Sequence, residues 1–142
     1  VRLKQALDAE IQRLTEAGYT GFLSGMAEGT DTWAALSVLA LREKRPGIKL
    51  HCVLPCEGQD AGWSETARRL YRSILERADH VTYVNREYHK GCMLERNRYL
   101  VEHASCLLAV YNGERRGGTA ATVRYARKLG REIVLIGPEV WT

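Results

Sequence analysis

Leu3, Leu7, Ile11 and Leu14 recur at steps of four, four and three, and Gly18 follows them. This spacing predicts an amphipathic helix over residues 1–17 that glycine closes. The pattern then changes to a short apolar strand, Tyr19 to Ser24, followed by the turn Gly25-Met26-Ala27-Glu28-Gly29 and a helix from Thr30 to Arg45 that Pro46-Gly47 ends. The alternation continues with a strand from Ile48 to Leu54, a polar loop from Pro55 to Gly62, and a helix capped by Ser64 with Leu70, Tyr71, Ile74 and Leu75 inward. His80 to Val84 reads as the next strand. A helix from Cys92 to Ala104 has the apolar stripe Met93, Leu94, Leu100, Val101 and Ala104. The strand Cys106 to Tyr111, the loop Asn112 to Gly118, a helix running to Leu129 and the strand Ile133 to Ile136 complete the series. Strands alternating with helices in this way predict an α/β fold, a Rossmann-like three-layer sandwich with an open, mostly parallel sheet flanked by helices on both faces.

At 142 residues the chain has the length of one domain, expected over residues 1–142, and 45% hydrophobic with 27% charged residues excludes a disordered or disulfide-stapled chain. No apolar run approaches the ~20 residues of a membrane helix, so no membrane partner is expected. Val1-Arg2-Leu3-Lys4-Gln5 does not read as a signal peptide. A formal net charge of +4 suits anionic small ligands without requiring nucleic acid. Four cysteines, Cys52, Cys56, Cys92 and Cys106, are too sparse for a disulfide framework, and a reducing, cytoplasmic setting is expected.

In open α/β sheets ligands bind beyond the carboxyl ends of the strands, where helix N-termini present free N–H groups and a partial positive charge. Two turns fit that position. In the first, Ser24-Gly25-Met26-Ala27-Glu28-Gly29-Thr30-Asp31, Gly25 and Gly29 allow close backbone approach and Ser24 and Thr30 carry hydroxyls. In the second, Gly113-Glu114-Arg115-Arg116-Gly117-Gly118-Thr119, Arg115 and its neighbour bring guanidinium groups beside Gly117, Gly118 and Thr119. Neither turn is a dinucleotide fingerprint, and Thr119 stands where a P-loop needs lysine, so ATP hydrolysis of that type is excluded. Each turn, alone, also reads as a plain strand-to-helix connector.

Asp31 suits either ribose hydroxyls or the positive end of the helix dipole. Asn97 falls inside an apolar stripe and needs a polar partner, backbone or ligand, while Arg96 reads as a phosphate partner or as a solvated surface residue. Gln59 offers hydrogen bonds to a base or ribose; Trp63 offers stacking, though packing over the next helix is favoured for it. His51, Cys52 and Cys56, or His89 and Cys92, give no fourfold ligand set, so no metal is expected. No spacing supports a catalytic cysteine–histidine pair.

Ser24-Gly25-Met26-Ala27-Glu28-Gly29-Thr30-Asp31-Thr32-Trp33-Ala34-Ala35, Gly58-Gln59, Trp63, Arg96-Asn97-Arg98-Tyr99 and Gly117-Gly118-Thr119 occur in the same order as in the YpsA-like branch of the SLOG superfamily, which the chain resembles over nearly its whole length. The resemblance implies a Rossmann-like fold that binds a nucleotide or nucleotide-derived ligand as a sensor or binding module, with no cofactor specified. The superfamily also contains the LOG phosphoribohydrolases, which release a base from a nucleoside monophosphate. Arg96 and Gly118-Thr119 match their pattern, but Ala121 stands at the position of their catalytic Glu, and Glu28 would have to supply a carboxylate from elsewhere. The DprA proteins, which bind single-stranded DNA, are a third comparison, through Ser24-Gly25 and the basic run Arg115, Arg116, Arg124, Arg127, Lys128 and Arg131. No aromatic ladder accompanies that run, so a solvated helix face is favoured over nucleic acid. Members of the branch resemble one another in a strand and a Gly-His-Arg loop ahead of the first helix. This sequence has neither, and if that strand is central, the sheet is expected to show two unpaired edges in its middle. Apolar helix faces suit a homo-oligomer as well as a core.

Overall fold

A computed structural model describes residues 2–140. Five parallel strands alternate with five helices among them: α1 (Arg2–Glu16), β1 (Gly21–Ser24), α2 (Thr30–Lys44), β2 (Lys49–Leu54), α3 (Glu65–Arg77), β3 (His80–Tyr83), α4 (Cys92–Glu102), β4 (Cys106–Val110), α5 (Gly118–Lys128) and β5 (Glu132–Ile136), with a 3₁₀ turn at Pro138–Val140. The architecture is the expected Rossmann-like α/β arrangement. α1 packs on α2 and α2 on α3, while α4 packs on α5, giving a helical layer on each side of the strands.

Element ends differ from the expectation by a few residues, for identifiable reasons. Val1, the first residue of the expected helix, lies outside the described residues. At the end of α1 the Gly18 amide donates to Thr15 at 3.1 Å and the Tyr19 amide to Leu14 at 3.0 Å, with Gly18 at φ 107°. This is the Schellman stop, and it takes Tyr19 out of the strand. Ser64 accepts from the Ala67 amide at 3.2 Å, as its capping role requires.

Among the described residues the strands fall into two parallel sets, β1–β2–β3 and β4–β5, which leaves the two unpaired edges that were expected within the sheet. One expectation needs correction: the helix after Gly91 turns a different face inward. Met93 and Leu94 are exposed, whereas Cys92, Arg96 and Val101 are buried. Leu94 lies about 160° round the helix from Arg96 at ~100° per residue, and Met93 reaches Arg96 only through its sulfur, 4.0 Å from the guanidinium.

The core lies between β2 and the layer above it. Leu50, Cys52 and Leu54 of β2 meet Val38 and Leu39 of α2 and Tyr71 and Ile74 of α3. Asp79 ties this layer down, its carboxylate accepting from the Leu50 amide at 2.8 Å and from Arg42 at 2.9 Å. The Leu50 hydrogen bond, helped by Arg42, holds that carboxyl below its ordinary pKa.

Ile74→Ala, at a fully buried site, is expected to lower unfolding free energy by about 2–5 kcal/mol in denaturant titration. Asp79, with its folded pKa depressed, contributes stability that is present above the unfolded value and lost as pH falls through the folded one. Asp79→Asn is therefore expected to lower the melting temperature at pH 7 and to converge with the parent in acid.

Candidate functional site

β1 and β4 both line one cleft, with β2 and β3 beyond β1 and β5 beyond β4, so the topological switch lies between β1 and β4. A cleft of about 580 Å³ opens there. Its carboxyl end is formed by Ser24, Gly25, Ala27, Thr30 and Asp31 from the first turn, Arg96 and Asn97 from α4, and Gly118 and Thr119 from the second turn. Residues more than seventy positions apart in the sequence thus share one opening.

The first turn is braced from within. Ser24 donates its hydroxyl to the Asp31 carbonyl at 3.1 Å and accepts from the Met26 amide at 3.2 Å, and Asp31 accepts from the Ala27 amide at 3.1 Å. Met26 adopts φ 58°, costly for a side chain other than glycine, and is held there by complete burial of that side chain in the core. Its role was not legible beforehand, although an apolar residue in a glycine-flanked turn was the available signal.

Arg96 is 4% exposed. Its guanidinium donates to the Gly25 carbonyl in a short hydrogen bond and to Asn97 Oδ1 at 2.8 Å. Gln59 reaches the same carbonyl at 3.4 Å and the Tyr71 hydroxyl at 3.3 Å. Burial pushes the Arg96 pKa down against the opposing pull of Asp31. Burial likewise raises the Asp31 carboxyl, with Arg96 and the Ala27 amide pulling the other way. A Cβ on Gly25 would sit 2.6 Å from the Arg96 guanidinium, so glycine is required there by close approach. Asn97 has its Nδ2 3.7 Å from the point where a Gly118 Cβ would lie, which places it between the two turns.

Both helices that start here are capped by glycine, α2 by Gly29 at φ 96° and α5 by Gly117 at φ 101°, and neither has a side-chain cap. Their first N–H groups therefore remain available to an anion. Not all the sequence-derived candidates meet at the cleft. Gln59 supports the Gly25 carbonyl from behind. Trp63 packs edge-to-face on Tyr71 with ring centroids 5.0 Å apart. Arg115 is exposed on the loop before α5, accepting a hydrogen bond from Arg124 through its carbonyl. Asp31 is the one carboxylate among the residues described as lining the cleft; Glu28 is exposed and Ala121 lies in α5.

A parallel α/β fold with two glycine-capped helix starts at its switch point defines the Rossmann-like class. Within that class, the YpsA model, described as the YspA SLOG family, matches residues 1–136. The chain belongs to this family, as its motifs suggested. It is 32% identical to a UPF0398 protein of Halalkalibacterium halodurans over 128 residues, covering 89% of this chain and 68% of that one. It is 31% identical to the SPbeta prophage-derived protein YoqJ of Bacillus subtilis over 154 residues, covering 98% and 90%. A UPF0398 protein of Bacillus thuringiensis is 32% identical over 130 residues, covering 90% and 71%.

Gly25→Ala is expected to displace the buried guanidinium and cost about 1–3 kcal/mol by denaturant titration. Asp31 carries a raised folded pKa, so its ionised form opposes folding at neutral pH and the penalty fades as the group protonates in acid. Asp31→Asn can still accept from Ala27 and is expected to melt higher than the parent at pH 7, the difference closing as pH falls.

Proposed function

We infer that the carboxyl end of this cleft binds the phosphate and ribose of a nucleotide-derived ligand, and that the chain serves as a sensor or binding module. The carrying observation is the convergence of two helix starts, at Thr30 and Gly118, that lack side-chain caps and open on one cleft. Each supplies backbone N–H groups and the positive end of a helix dipole, an arrangement suited to phosphate. Thr30 and Thr119 add hydroxyls, and Asp31 is placed to accept from ribose. Arg96 acts mainly through its charge, because its hydrogen bonds hold Gly25 and Asn97. Membership of the SLOG family supports a nucleotide-related role.

Hydrolysis of an N-glycosidic bond is the weaker reading. It needs a carboxylate free to stabilise an oxocarbenium-like state or to activate water. Ala121 stands where the LOG phosphoribohydrolases carry their carboxylate, and Asp31 lies in the other turn with its Oδ2 accepting from Ala27, which leaves one oxygen to hold a ribose hydroxyl. For binding of single-stranded DNA, the supporting observation is a groove between α4 and α5 bordered by Arg98, Arg124 and Lys128.

Thermal melts against AMP, ADP-ribose, NAD, cyclic nucleotides and a short single-stranded DNA separate these readings. A ligand at a hundredfold its Kd stabilises by ~2.7 kcal/mol, a shift of roughly 5–10 °C at this size. The expected result is such a shift with one phosphate-bearing nucleotide, reduced in Asn97→Ala, with no free base released. Release of base would establish hydrolysis. A shift with DNA alone, falling steeply with salt, would move the site to the α4–α5 groove.

A further inference from the structure

Two of the four cysteines lie together, and neither is among the residues described as lining the cleft. Cys56 follows β2 and is 3% exposed; Cys92 opens α4 and is fully buried. The backbone brings them together. Beyond the end of β2 the chain stays paired with the segment that leads to α4, the Val84 amide donating to Leu54 at 2.9 Å, the Asn85 amide to Pro55 at 3.2 Å and the Glu57 amide to the Arg86 carbonyl at 3.0 Å. The Cys92 amide donates to His89 at 3.1 Å and closes the turn into α4. The Cys56 and Cys92 thiols end within hydrogen-bonding reach of each other.

The pair backs the clamp on the Gly25 carbonyl. Cys92 and Arg96 share the buried face of α4 one turn apart, and Cys56 lies three residues ahead of Gln59 on the loop after β2. Arg96 and Gln59 both donate to the Gly25 carbonyl. Each of the two segments that meet at that carbonyl therefore carries one of the thiols. Both thiols lie near enough to the Arg96 guanidinium to interact with its charge. Burial pushes the Cys56 thiol up, the neighbouring Cys92 acts in the same direction, and Arg96 opposes them. A single buried cysteine serves as a small hydrophobe, whereas two in contact have an intramolecular oxidation product.

We propose that Cys56 and Cys92 form a reversible disulfide on exposure to hydrogen peroxide, and that this bond shifts the Gly25 carbonyl and weakens ligand binding at the first turn. The Cys56 sulfur, the more accessible of the two, attacks one peroxide oxygen. The O–O bond breaks, the thiol proton leaves with the departing oxygen as water, and Cys56 becomes a sulfenic acid. The Cys92 sulfur then attacks the Cys56 sulfur: the S–S bond forms, the S–O bond breaks, and the Cys92 proton departs with the hydroxyl as a second water. The two sulfurs together give up two electrons to the peroxide, and a dithiol reductant returns them. The new bond draws the sulfurs to about 2.05 Å, closer than hydrogen-bonded thiols stand, so the Gln59 loop and the start of α4 must move relative to each other. The clamp has no slack to absorb that movement, because the guanidinium already fills the space beside Gly25. The effect on affinity rests on the ligand reading above; the disulfide does not.

Peptide mass spectrometry of peroxide-treated protein, digested without reduction, tests the bond, and amide NMR and AMP titration of the same samples test its effect. The expected result is a Cys56–Cys92 crosslink within one chain, two hydrogens lighter than the thiols and removed by dithiothreitol. The Gly25, Met26 and Ala27 amides are expected to shift on oxidation, and AMP to bind about tenfold more weakly. Cys56→Ala and Cys92→Ala are each expected to abolish all of these responses. No crosslink, a crosslink between chains, pairing with Cys52 or Cys106, or oxidation of Cys56 alone to the sulfinic acid would overturn the proposal. So would a crosslink that leaves those amides and the AMP affinity unchanged. If AMP fails to bind the reduced protein while the crosslink still moves the amides, the ligand reading falls and the thiol pair stands, whereas AMP binding without the crosslink does the reverse.

Discussion

The hydrogen bond from the Arg96 guanidinium to the Gly25 carbonyl is the contact on which this arrangement depends. A charged group taken out of water must recover its hydrogen bonds from the protein. Arg96 finds acceptors at the end of β1 and on Asn97, and so links the half of the molecule containing β1 to the half containing α4 and β4. No strand ladder makes that link among the described residues. Its neighbours are set by it: the guanidinium occupies the space a Gly25 side chain would take, and Asn97, whose Oδ1 accepts from Arg96, is left facing the second turn.

This explains why the two turns differ chemically although both end in glycine-capped helices. The first is internally satisfied, with Ser24 and Asp31 each bonded to backbone of the same turn. It is a shaped surface backed by a buried positive charge. The second is more open, with Gly118 and Thr119 exposed and the preceding arginines in solvent. A preorganised wall facing a more accessible loop suits an anion that enters from the loop side.

Much of this was legible in the sequence. The alternation of strand and helix, the Gly18 and Ser64 caps, and the pairing of the two glycine-rich turns all follow from local patterns, because turn and cap chemistry is decided by neighbouring residues. Asn97 stood out as a polar residue in need of a partner, although the partner it finds is the neighbouring Arg96 guanidinium and not backbone. The burial of Arg96 was hidden. Adjacent Met93 and Leu94 seemed to define the inner face, and only the tertiary placement of α4 against Gly25 reveals that the guanidinium takes that position. The expected unpaired edges concern a long-range arrangement too, and the division of the sheet between β1 and β4 is seen only in the assembled fold.

The central claim is that two distant helix starts address one phosphate-bearing ligand. The most direct measurement is an amide NMR titration with AMP, and with adenosine for comparison. The account predicts that AMP shifts the amides of Gly29, Thr30 and Asp31 together with those of Gly118 and Thr119, with one common Kd, and that adenosine moves them far less. Shifts confined to one turn, equal effects of AMP and adenosine, or shifts centred on Arg98, Arg124 and Lys128 would contradict it.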